Sequence, residues 1–330
     1  EQQKGGDFCM QVGMCRVSRQ KRRVRRRRRT ALLVCALMLT GGIAAFAANR
    51  LARTLGPTPE QTLNQAHLAA LERSDAVEYG RSGAGRALKA YRFGDGQNVM
   101  VLTFAIHGYE DAFPADGAAL VWTAHRLMDV LDGMGDALCE AGWTVWVLPC
   151  LNPDGLLDGH TNNGPGRCTT ASYSENGTLL SVGVDMNRCF PALWEKQSGA
   201  RNANGDAPLA CVEAEALSVF LESTRGSGRN ICIDVHGWYR QTITSDGRDG
   251  ALFAAFQERF PDNTWADCRK GSGYLTAYAA ALGYDACLFE FPGGSDCLES
   301  FQTGGDVDRF IECVLELLGC STQQEGRLNA

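Results

Sequence analysis

Two long apolar runs that each end in a histidine constrain the fold of this chain more than any other feature. The run VMVLTFAIH ends at His107, and the run ICIDVH ends at His236. Continuous apolar runs of this kind are typical of strands buried on both faces of a parallel sheet. Because parallel strands end at the same edge of a sheet, where open α/β folds bind ligands, we expect both histidines at one binding edge.

A glutamate three residues after the first histidine completes a possible metal site. His107, Glu110 and His236 form the two-histidine, one-glutamate set that zinc hydrolases use with a fourth position open for water. A lone HxxE pair is more often a surface pair on a helix, and a lone histidine at a strand end is often a hydrogen-bonded core residue. The set therefore predicts a zinc site only together with further motifs.

Further motifs follow in a fixed order. They are LNPDG at 151–155, TNNGPGR ending at Arg167, GVDMNRCFP with Asp185, Asn187 and Arg188, and CLFEFPGG with Glu290. With 126 positions from Glu110 to His236, this order resembles that of the metallocarboxypeptidases, the carboxypeptidase A type of zinc exopeptidase. The resemblance covers about residues 80–320.

The resemblance implies a mechanism of metal-assisted hydrolysis. His107, Glu110 and His236 would hold one Zn²⁺, which polarises a water molecule and the scissile carbonyl. Glu290 would be the general base that takes the proton of the water and passes it to the leaving amine. Arg167 would stabilise the oxyanion of the transition state, whereas without the resemblance it would be interpreted as a solvated loop arginine.

The resemblance also implies how a peptide end is recognised. Asn187 and Arg188 would bind the C-terminal carboxylate, for which a planar guanidinium is well suited. Asp185 would orient His107 through its other ring nitrogen, although by itself it could be an ordinary loop aspartate. These roles would make the protein an exopeptidase.

Two departures from the digestive enzymes of this type concern the substrate. The arginine that those enzymes often carry inside HxxE is absent here, and no tyrosine stands near Asp267 or Cys268, where their substrate-capping tyrosine is expected. Tyr274 and Tyr278 are the nearest candidates. Their four-residue spacing more simply indicates one face of a short helix, so neither is assigned a catalytic role.

The N-terminal region predicts export. Eight of the nine residues at 21–29 are basic, and the stretch 31–48 that follows is uncharged. This order is typical of a signal peptide, with Ala45 and Ala47 at the small-residue positions of a cleavage site after Ala47. A single membrane anchor over 31–48 is the alternative. We therefore expect a secreted or extracytoplasmic, bacterial-type protein with a leader over 1–47.

The charge beyond the leader limits the partners. Residues 48–330 hold 21 basic and 36 acidic residues, a formal charge of −15, which disfavours nucleic acid and anionic membranes. We expect a peptide or peptidoglycan-peptide substrate and a monomeric protein. Eleven of the 14 cysteines lie beyond the leader. Their pairing cannot be assigned from the sequence.

The remaining pattern predicts a three-layer α/β/α sandwich on a mixed, mostly parallel sheet. A helix within 48–79 is interpreted as a stem or a first helix, and 80–320 as the catalytic domain before a polar tail at 321–330. ALKAYRFG and VMVLTFAIH are expected to form an opening strand pair, and residues 117–142 one long helix before the strand WTVWVLPC. CVEAEALSVFLEST, ALFAAFQERF and DVDRFIECVLELL predict further helices.

Three functions remain in competition at this point. The first is a zinc carboxypeptidase, the second is a zinc deacylase or amidohydrolase of the same fold, and the third is a catalytically silent cell-envelope binding protein. The long interval between the ligands opposes the second, and the complete set of site residues opposes the third. Peptidoglycan stem peptides and nutrient peptides are equally compatible substrates, because residues 271–285, expected to line the specificity pocket, contain no clear charge reader.

Overall fold

The computed structural model describes residues 59–70, 73–173, 178–181 and 183–320, all within the compact unit Pro59–Ala330. The predicted leader at 1–47 and tail at 321–330 lie outside these residues. None of the described helices combines the length and apolar character needed to cross a membrane.

The described residues form eleven strands, nine α-helices and two 3₁₀ turns. The strands are β1 (Val77–Arg81), β2 (Ala87–Gly94), β3 (Asn98–Phe104), β4 (Trp143–Leu148), β5 (Thr161–Cys168), β6 (Ser172–Tyr173), β7 (Leu179–Ser181), β8 (Asn230–Gly237), β9 (Gln241–Thr244), β10 (Thr264–Asp267) and β11 (Asp285–Phe291). The helices are α1 (Pro59–Ala70), α2 (Asp116–Asp132), α3 (Gly135–Glu140), α4 (Pro153–Asp158), α5 (Val212–Thr224), α6 (Ala251–Arg259), α7 (Leu275–Ala281), α8 (Leu298–Thr303) and α9 (Asp306–Leu317). The 3₁₀ turns are Met186–Arg188 and Cys268–Lys270.

Eight of these strands form one mixed sheet in the order β1-β2-β4-β3-β8-β11-β9-β10. Neighbouring strands are parallel in the centre, from β4 through β3 and β8 to β11, and again between β9 and β10. They are antiparallel between β1 and β2, β2 and β4, and β11 and β9. The predicted mixed and mostly parallel sheet is confirmed.

Helices cover both faces of the sheet because the residues of its central strands point alternately to either side. Ile231, Ile233 and Val235 of β8 belong to one apolar core, to which α2, α6 and α9 also contribute. Cys232 belongs to a second core, to which α5 and α7 contribute. The three predicted layers are therefore present, and α1 packs on them through its contacts with α2 and α4.

The expectation of an opening strand pair is wrong. The strands β2 and β3 are neighbours in sequence, but β4 lies between them in the sheet and is antiparallel to β2. Both sides of β3 are occupied by parallel partners, β4 and β8. The strand β3, buried from Val99 to Phe104, thus lies in the middle of the sheet, where its side chains contribute to both cores.

The expectation of one long helix over 117–142 is also wrong. The segment contains two helices, α2 and α3, and α2 ends at Asp132 before Gly133 and Met134. Glycine is a poor residue for the interior of a helix, and here it caps the end of α2 through its backbone N–H.

The sheet brings the main predicted residues to one edge. β3, β8 and β11 run parallel, and His107 follows the end of β3 by three residues. His236 and Glu290 face each other across the β8–β11 pair at the same register position. This is the carboxyl edge of the sheet, as expected from the sequence.

Candidate active site

His107, Glu110 and His236 converge on one point. Oε1 of Glu110 lies 3.2 Å from Nδ1 of His107 and 3.2 Å from Nδ1 of His236. Ligand atoms from the three residues all lie within 4.8 Å of one another. Two imidazole nitrogens and one carboxylate oxygen that face a common point are a suitable donor set for zinc, so the side chains fit the ion that the sequence predicts.

The outer nitrogen of each imidazole ring is held by a buried carboxylate. Nε2 of His107 lies 3.0 Å from Oδ1 of Asp185, and Nε2 of His236 lies 2.8 Å from Oδ2 of Asp234. A carboxylate accepts the Nε2 proton, which leaves the lone pair of each Nδ1 for a metal. Asp185 thus contacts His107, and its role in orienting a metal ligand stays a prediction.

Asp234 is a site residue that the sequence analysis missed. Its Oδ1 accepts a hydrogen bond of 2.7 Å from Oγ1 of Thr103, its register neighbour on β3. The pattern Asp-x-His in ICIDVH was a visible signal, because residues two apart on a strand share a face. Asp234 and His236 could therefore have been paired from the sequence.

The loop that carries Glu110 is held by two further polar residues. The backbone N–H groups of Glu110 and Ala112 donate to the buried carboxylate of Asp116 at 3.0–3.2 Å. Nδ2 of Asn162 donates to the carbonyl oxygen of Glu110 at 2.7 Å. Burial raises the pKa of Asp116 to about 6. These contacts fix the backbone of a metal-ligand candidate and had no clear signal in the sequence.

The pKa values in the ligand cluster, which consists of His107, Glu110 and His236, are set mainly by neighbouring opposite charges. Burial alone would raise the pKa of Glu110, but His107 and His236 lower it to about 2. Burial likewise acts to lower the pKa of His236, yet Asp234 and Glu110 hold it well above its usual range. The negative charge of the carboxylates thus favours positive charge at this point, whether protons or a metal cation.

Arg167 is buried beside the ligand cluster and lies on β5, not in a solvated loop. Its Nε donates to Oδ2 of Asp185 at 2.8 Å, and its Nη1 lies 3.3 Å from Nδ1 of His107. Nδ2 of Asn152, from the LNPDG motif, donates to the carbonyl oxygen of Arg167 at 3.4 Å. A cation therefore lies next to the predicted metal position, and its oxyanion role stays a prediction.

Asn187 lies near both His236 and Asp185, and its backbone N–H donates to Oδ1 of Asp185 at 3.0 Å. Oδ1 of Asn187 accepts a hydrogen bond of 2.9 Å from the backbone of Leu275, while its Nδ2 lies 3.4 Å from Nε2 of His236. Because that Nε2 donates its proton to Asp234, it cannot also accept from Asn187. Nδ2 of Asn187 therefore makes no hydrogen bond with His236, and its role in carboxylate binding stays a prediction.

The guanidinium of Arg188 is only lightly held. Its Nη1 donates to the carbonyl oxygen of Asn187 at 2.8 Å, and its central carbon lies 4.4 Å from the centre of the Tyr274 ring. Tyr274 precedes α7 and packs on Arg188, whereas the hydroxyl of Tyr278 donates to Glu222 at 2.6 Å. The predicted short helix is present with Tyr274 at its N-cap, and the backbone N–H of Tyr278 donates to the carbonyl oxygen of Tyr274 at 3.1 Å.

Glu290 lies beside His236 at the end of β11. Burial and the negative charge of Glu110 raise its pKa to about 8. Its Oε2 accepts a hydrogen bond of 3.3 Å from the backbone N–H of Tyr239, a residue with a largely exposed side chain. The carboxyl group of Glu290 is therefore next to the ligand cluster, where the predicted general base is needed.

Known proteins match this chain in sequence. The zinc carboxypeptidase family matches residues 60–252. Bacteriocin BCN5 of Clostridium perfringens is 32% identical over 247 residues, which are 74% of this chain and 26% of that protein. Zinc carboxypeptidase A 1 of Drosophila melanogaster is 28% identical over 152 residues, 44% of this chain and 33% of that protein. The chain thus spans about a quarter to a third of these relatives.

Solved structures match its fold. Bovine thrombin-activatable fibrinolysis inhibitor, solved with a tick carboxypeptidase inhibitor, superimposes with a TM-score of 0.58 at 15% identity, over 81% of this chain and 98% of that one. Carboxypeptidase A of Helicoverpa armigera gives a TM-score of 0.54 at 17% identity, over 75% and 69%. Together with the family match over more than half of its length, these likenesses show that the chain belongs to the zinc carboxypeptidase family.

Proposed function

We propose that this protein is a zinc-dependent exopeptidase that removes C-terminal residues from peptides. One observation carries the proposal. Nδ1 of His107, Oε1 of Glu110 and Nδ1 of His236 face a common point, and the carboxyl group of Glu290 lies beside them. This combination supplies both a metal site with an open side and a group that can take a proton, which hydrolysis by water requires.

Each residue of the ligand cluster then has a definite task. His107, Glu110 and His236 would hold the zinc, which when bound would supply polarisation of the water and of the scissile carbonyl. Glu290 takes the proton of the water and delivers it to the nitrogen of the leaving group. Partial burial and the negative charge of Glu110 raise the pKa of Glu290, which suits a group that takes up and releases a proton.

Three further residues divide substrate recognition and transition-state stabilisation. Arg167 lies next to His107 and provides positive charge where the carbonyl oxygen becomes negative. Nδ2 of Asn187 lies near His236, and the guanidinium of Arg188 contacts Asn187; together they would bind the free C-terminal carboxylate of the peptide. Binding that carboxylate would place the last peptide bond, and no earlier bond, beside His107, Glu110 and His236.

The substrate is proposed to be a peptidoglycan stem peptide. The C. perfringens relative is named a bacteriocin, which favours a target in bacteria. A stem peptide also ends in the free carboxylate that Arg188 is proposed to bind. We further propose that residues 31–48 direct export, as a cleaved signal peptide or as an anchor, and that the exported protein is a monomer.

A peptide panel with metal analysis tests the proposal. The purified protein should contain about one zinc per chain, release C-terminal residues from free peptides, and lose activity reversibly with a chelator. Stem peptides should be cleaved faster than unrelated peptides of equal length; the reverse would indicate nutrient peptides. Equal cleavage of free and amidated peptides would indicate a deacylase or amidohydrolase, and zinc content without any release would indicate a binding protein.

A further inference from the structure

Two buried thiols lie close together behind the carboxylate-binding residues. Sγ of Cys189 and Sγ of Cys211 are 3.9 Å apart, and both side chains are buried in the same core. Cys189 directly follows Arg188, and Cys211 directly precedes α5. The two cysteines are separated by 22 positions and enclose a segment that we call the 189–211 loop.

The backbone already brings the two ends of the 189–211 loop together. Leu209 lies two residues before Cys211, and its backbone N–H donates to the carbonyl oxygen of Cys189 at 2.6 Å. The backbone therefore already lies close at the two ends of the loop, and the disulfide would form by bringing the two sulfur atoms from 3.9 Å to bonding distance.

The 189–211 loop holds several residues of the candidate site in place. Nδ2 of Asn204 donates to the carbonyl oxygen of Arg188 at 2.9 Å, and the carbonyl oxygen of Ala203 accepts from the backbone of Asp185 at 2.7 Å. The carbonyl oxygen of Arg201 accepts from Nε of Arg167 at 3.2 Å. A covalent link across the ends of the loop would therefore restrict the residues that contact the substrate.

We propose that Cys189 and Cys211 form a disulfide that closes the 189–211 loop and holds the backbone of Arg188 in its binding position. The oxidant is a disulfide donor, either a small molecule or an oxidoreductase. One cysteine attacks the donor and releases one donor thiol, which leaves a mixed disulfide on the protein. The second cysteine attacks this mixed disulfide, forms the Cys189–Cys211 bond and releases the second donor thiol, so the donor is reduced by two electrons.

The surroundings of the pair indicate when the bond forms. The hydrogen bond with Cys189 and burial both raise the pKa of the Cys211 thiol well above its usual range. A buried thiol with a raised pKa reacts slowly. The disulfide therefore forms during folding or while the loop is transiently open, and it is stable once the core has closed over it.

A mass measurement tests the bond directly. The full chain is refolded with oxidised glutathione, its remaining free thiols are alkylated, and it is digested with trypsin without reduction. Cleavage after Arg188, Lys196, Arg201 and Arg225 gives peptides 189–196 and 202–225, each with one cysteine. A linked pair of these peptides supports the proposal. Alkylation of both cysteines, or a link from either to another cysteine, overturns it.

Thermal unfolding provides a second measurement that needs no enzymatic activity. Closing a loop of this length should raise the midpoint by on the order of 5 °C in the oxidised protein relative to the reduced protein. Cys189→Ser and Cys211→Ser should each abolish this difference, whereas the buried Cys313, whose thiol contacts Ala255, serves as the control, and Cys313→Ser should keep it. A difference that survives in the first two variants contradicts the proposed pair.

The effect on Arg188 rests on the proposed exopeptidase function and has its own readout. The KM for a peptide with a free C-terminus should rise about threefold on reduction, with kcat little changed, because the loop then holds Arg188 less rigidly. An unchanged KM overturns the proposed hold on Arg188. Failure of the exopeptidase proposal would be distinguishable, since it would abolish cleavage while the peptide link and the thermal difference remained.

Discussion

Two regions of the candidate site differ in how many of their polar atoms form hydrogen bonds. The ligand side consists of His107, Glu110 and His236 with the carboxylates that contact them. The substrate side consists of Asn187 and Arg188. On the ligand side, each imidazole donates to a buried carboxylate, and these carboxylates are held in turn by Thr103 and Arg167. On the substrate side, Arg188 has one hydrogen bond and one ring contact among the described residues, and Nδ2 of Asn187 remains available.

This difference separates two kinds of function. A metal site needs ligands fixed before the ion arrives, because each histidine must keep one tautomer and one orientation. A substrate site needs groups with unused hydrogen bonds, because those bonds are made to the substrate. Changes on the ligand side should therefore affect metal content, and changes on the substrate side should affect rate or selectivity while the metal is retained.

Loss of a metal ligand is the most severe change on the ligand side. His236→Ala should lower zinc content to background and abolish hydrolysis, because two remaining ligands hold zinc far more weakly than three. Metal analysis of the purified variants measures this. His125→Ala, on the exposed side of α2, is the control and should bind zinc normally. A zinc-replete His236→Ala protein would refute the ligand assignment.

A change at Glu290 should lower the rate of hydrolysis nearly as much as loss of a metal ligand, but it should leave the zinc content unchanged. Glu290→Gln should lower kcat by about 100- to 10,000-fold with zinc content unchanged, because the amide keeps the shape but accepts no proton. Steady-state kinetics and metal analysis on the same sample measure both quantities. Activity equal to that of the native protein would show that another group is the base, and loss of zinc would place Glu290 on the ligand side.

Replacement of Arg188 and replacement of Arg167 should change the kinetics of hydrolysis in different ways. Arg188→Ala should remove the preference for a free over an amidated C-terminus, whereas Arg167→Ala should slow hydrolysis of both peptides. Loss of a charge-assisted contact should cost about 2 to 4 kcal/mol in either case. Kinetics with the matched peptide pair give the comparison. Equal losses on both peptides for Arg188→Ala would argue against its role as carboxylate reader.

The sequence was sufficient for those parts of the fold that depend on local pattern. Apolar runs predicted the central strands. His107, His236 and Glu290 lie at or just after the carboxyl ends of these strands. Because the strands are parallel, their ends share one edge of the sheet, which places the three residues together. The pairing of β2 with β4 was not predictable in this way. Strand pairing depends on contacts distant in sequence, and hairpin proximity suggested a different neighbour.

The supporting residues of the site show the same limit. Asp234 shares a strand face with His236, so its role was implicit in the sequence. Asp116 and Asn162 act through the backbone of Glu110, from a helix start and from β5. Nothing local in the sequence marks such contacts, because they depend on how a loop and two elements fold against each other. The family resemblance assigned roles only to residues predicted to bind metal or substrate, to take part in catalysis, or to orient a metal ligand.

Glu213, a buried glutamate outside the candidate site, shows how burial changes the pKa of a carboxyl group that has no histidine beside it. The pKa of Glu110 is lowered by two histidines, whereas burial raises that of Glu213, on α5, from 4.5 to about 7. As the pH rises from 4.5 to 7, the unfolded state loses the proton first, and folding stability falls by up to about 3 kcal/mol. Above pH 7 the carboxyl group is deprotonated in both the folded and the unfolded state, so the loss of folding stability stays constant.

Replacement of Glu213 should remove this pH dependence. Glu213→Gln keeps an oxygen that can accept from the backbone of Gly83, as Oε1 of Glu213 does, but carries no ionisable group. Urea unfolding at pH 5 and pH 8 should show a smaller loss of stability for this variant than for the native protein. Glu215→Gln, exposed on the same helix, is the control and should behave like the native protein. Parallel loss in all three would exclude Glu213 as the source.

The smallest expected effects distinguish the two carboxylates that orient the histidines. Asp234→Asn and Asp185→Asn should each lower zinc affinity by about 10- to 100-fold, because an amide holds the Nε2 proton less strongly. Asp185 also binds Arg167, whereas Asp234 binds Thr103. At saturating zinc, kcat should therefore recover in Asp234→Asn and stay lowered in Asp185→Asn. Zinc titration followed by kinetics measures both steps, and full recovery in both variants would show that Asp185 acts on the ligand side alone.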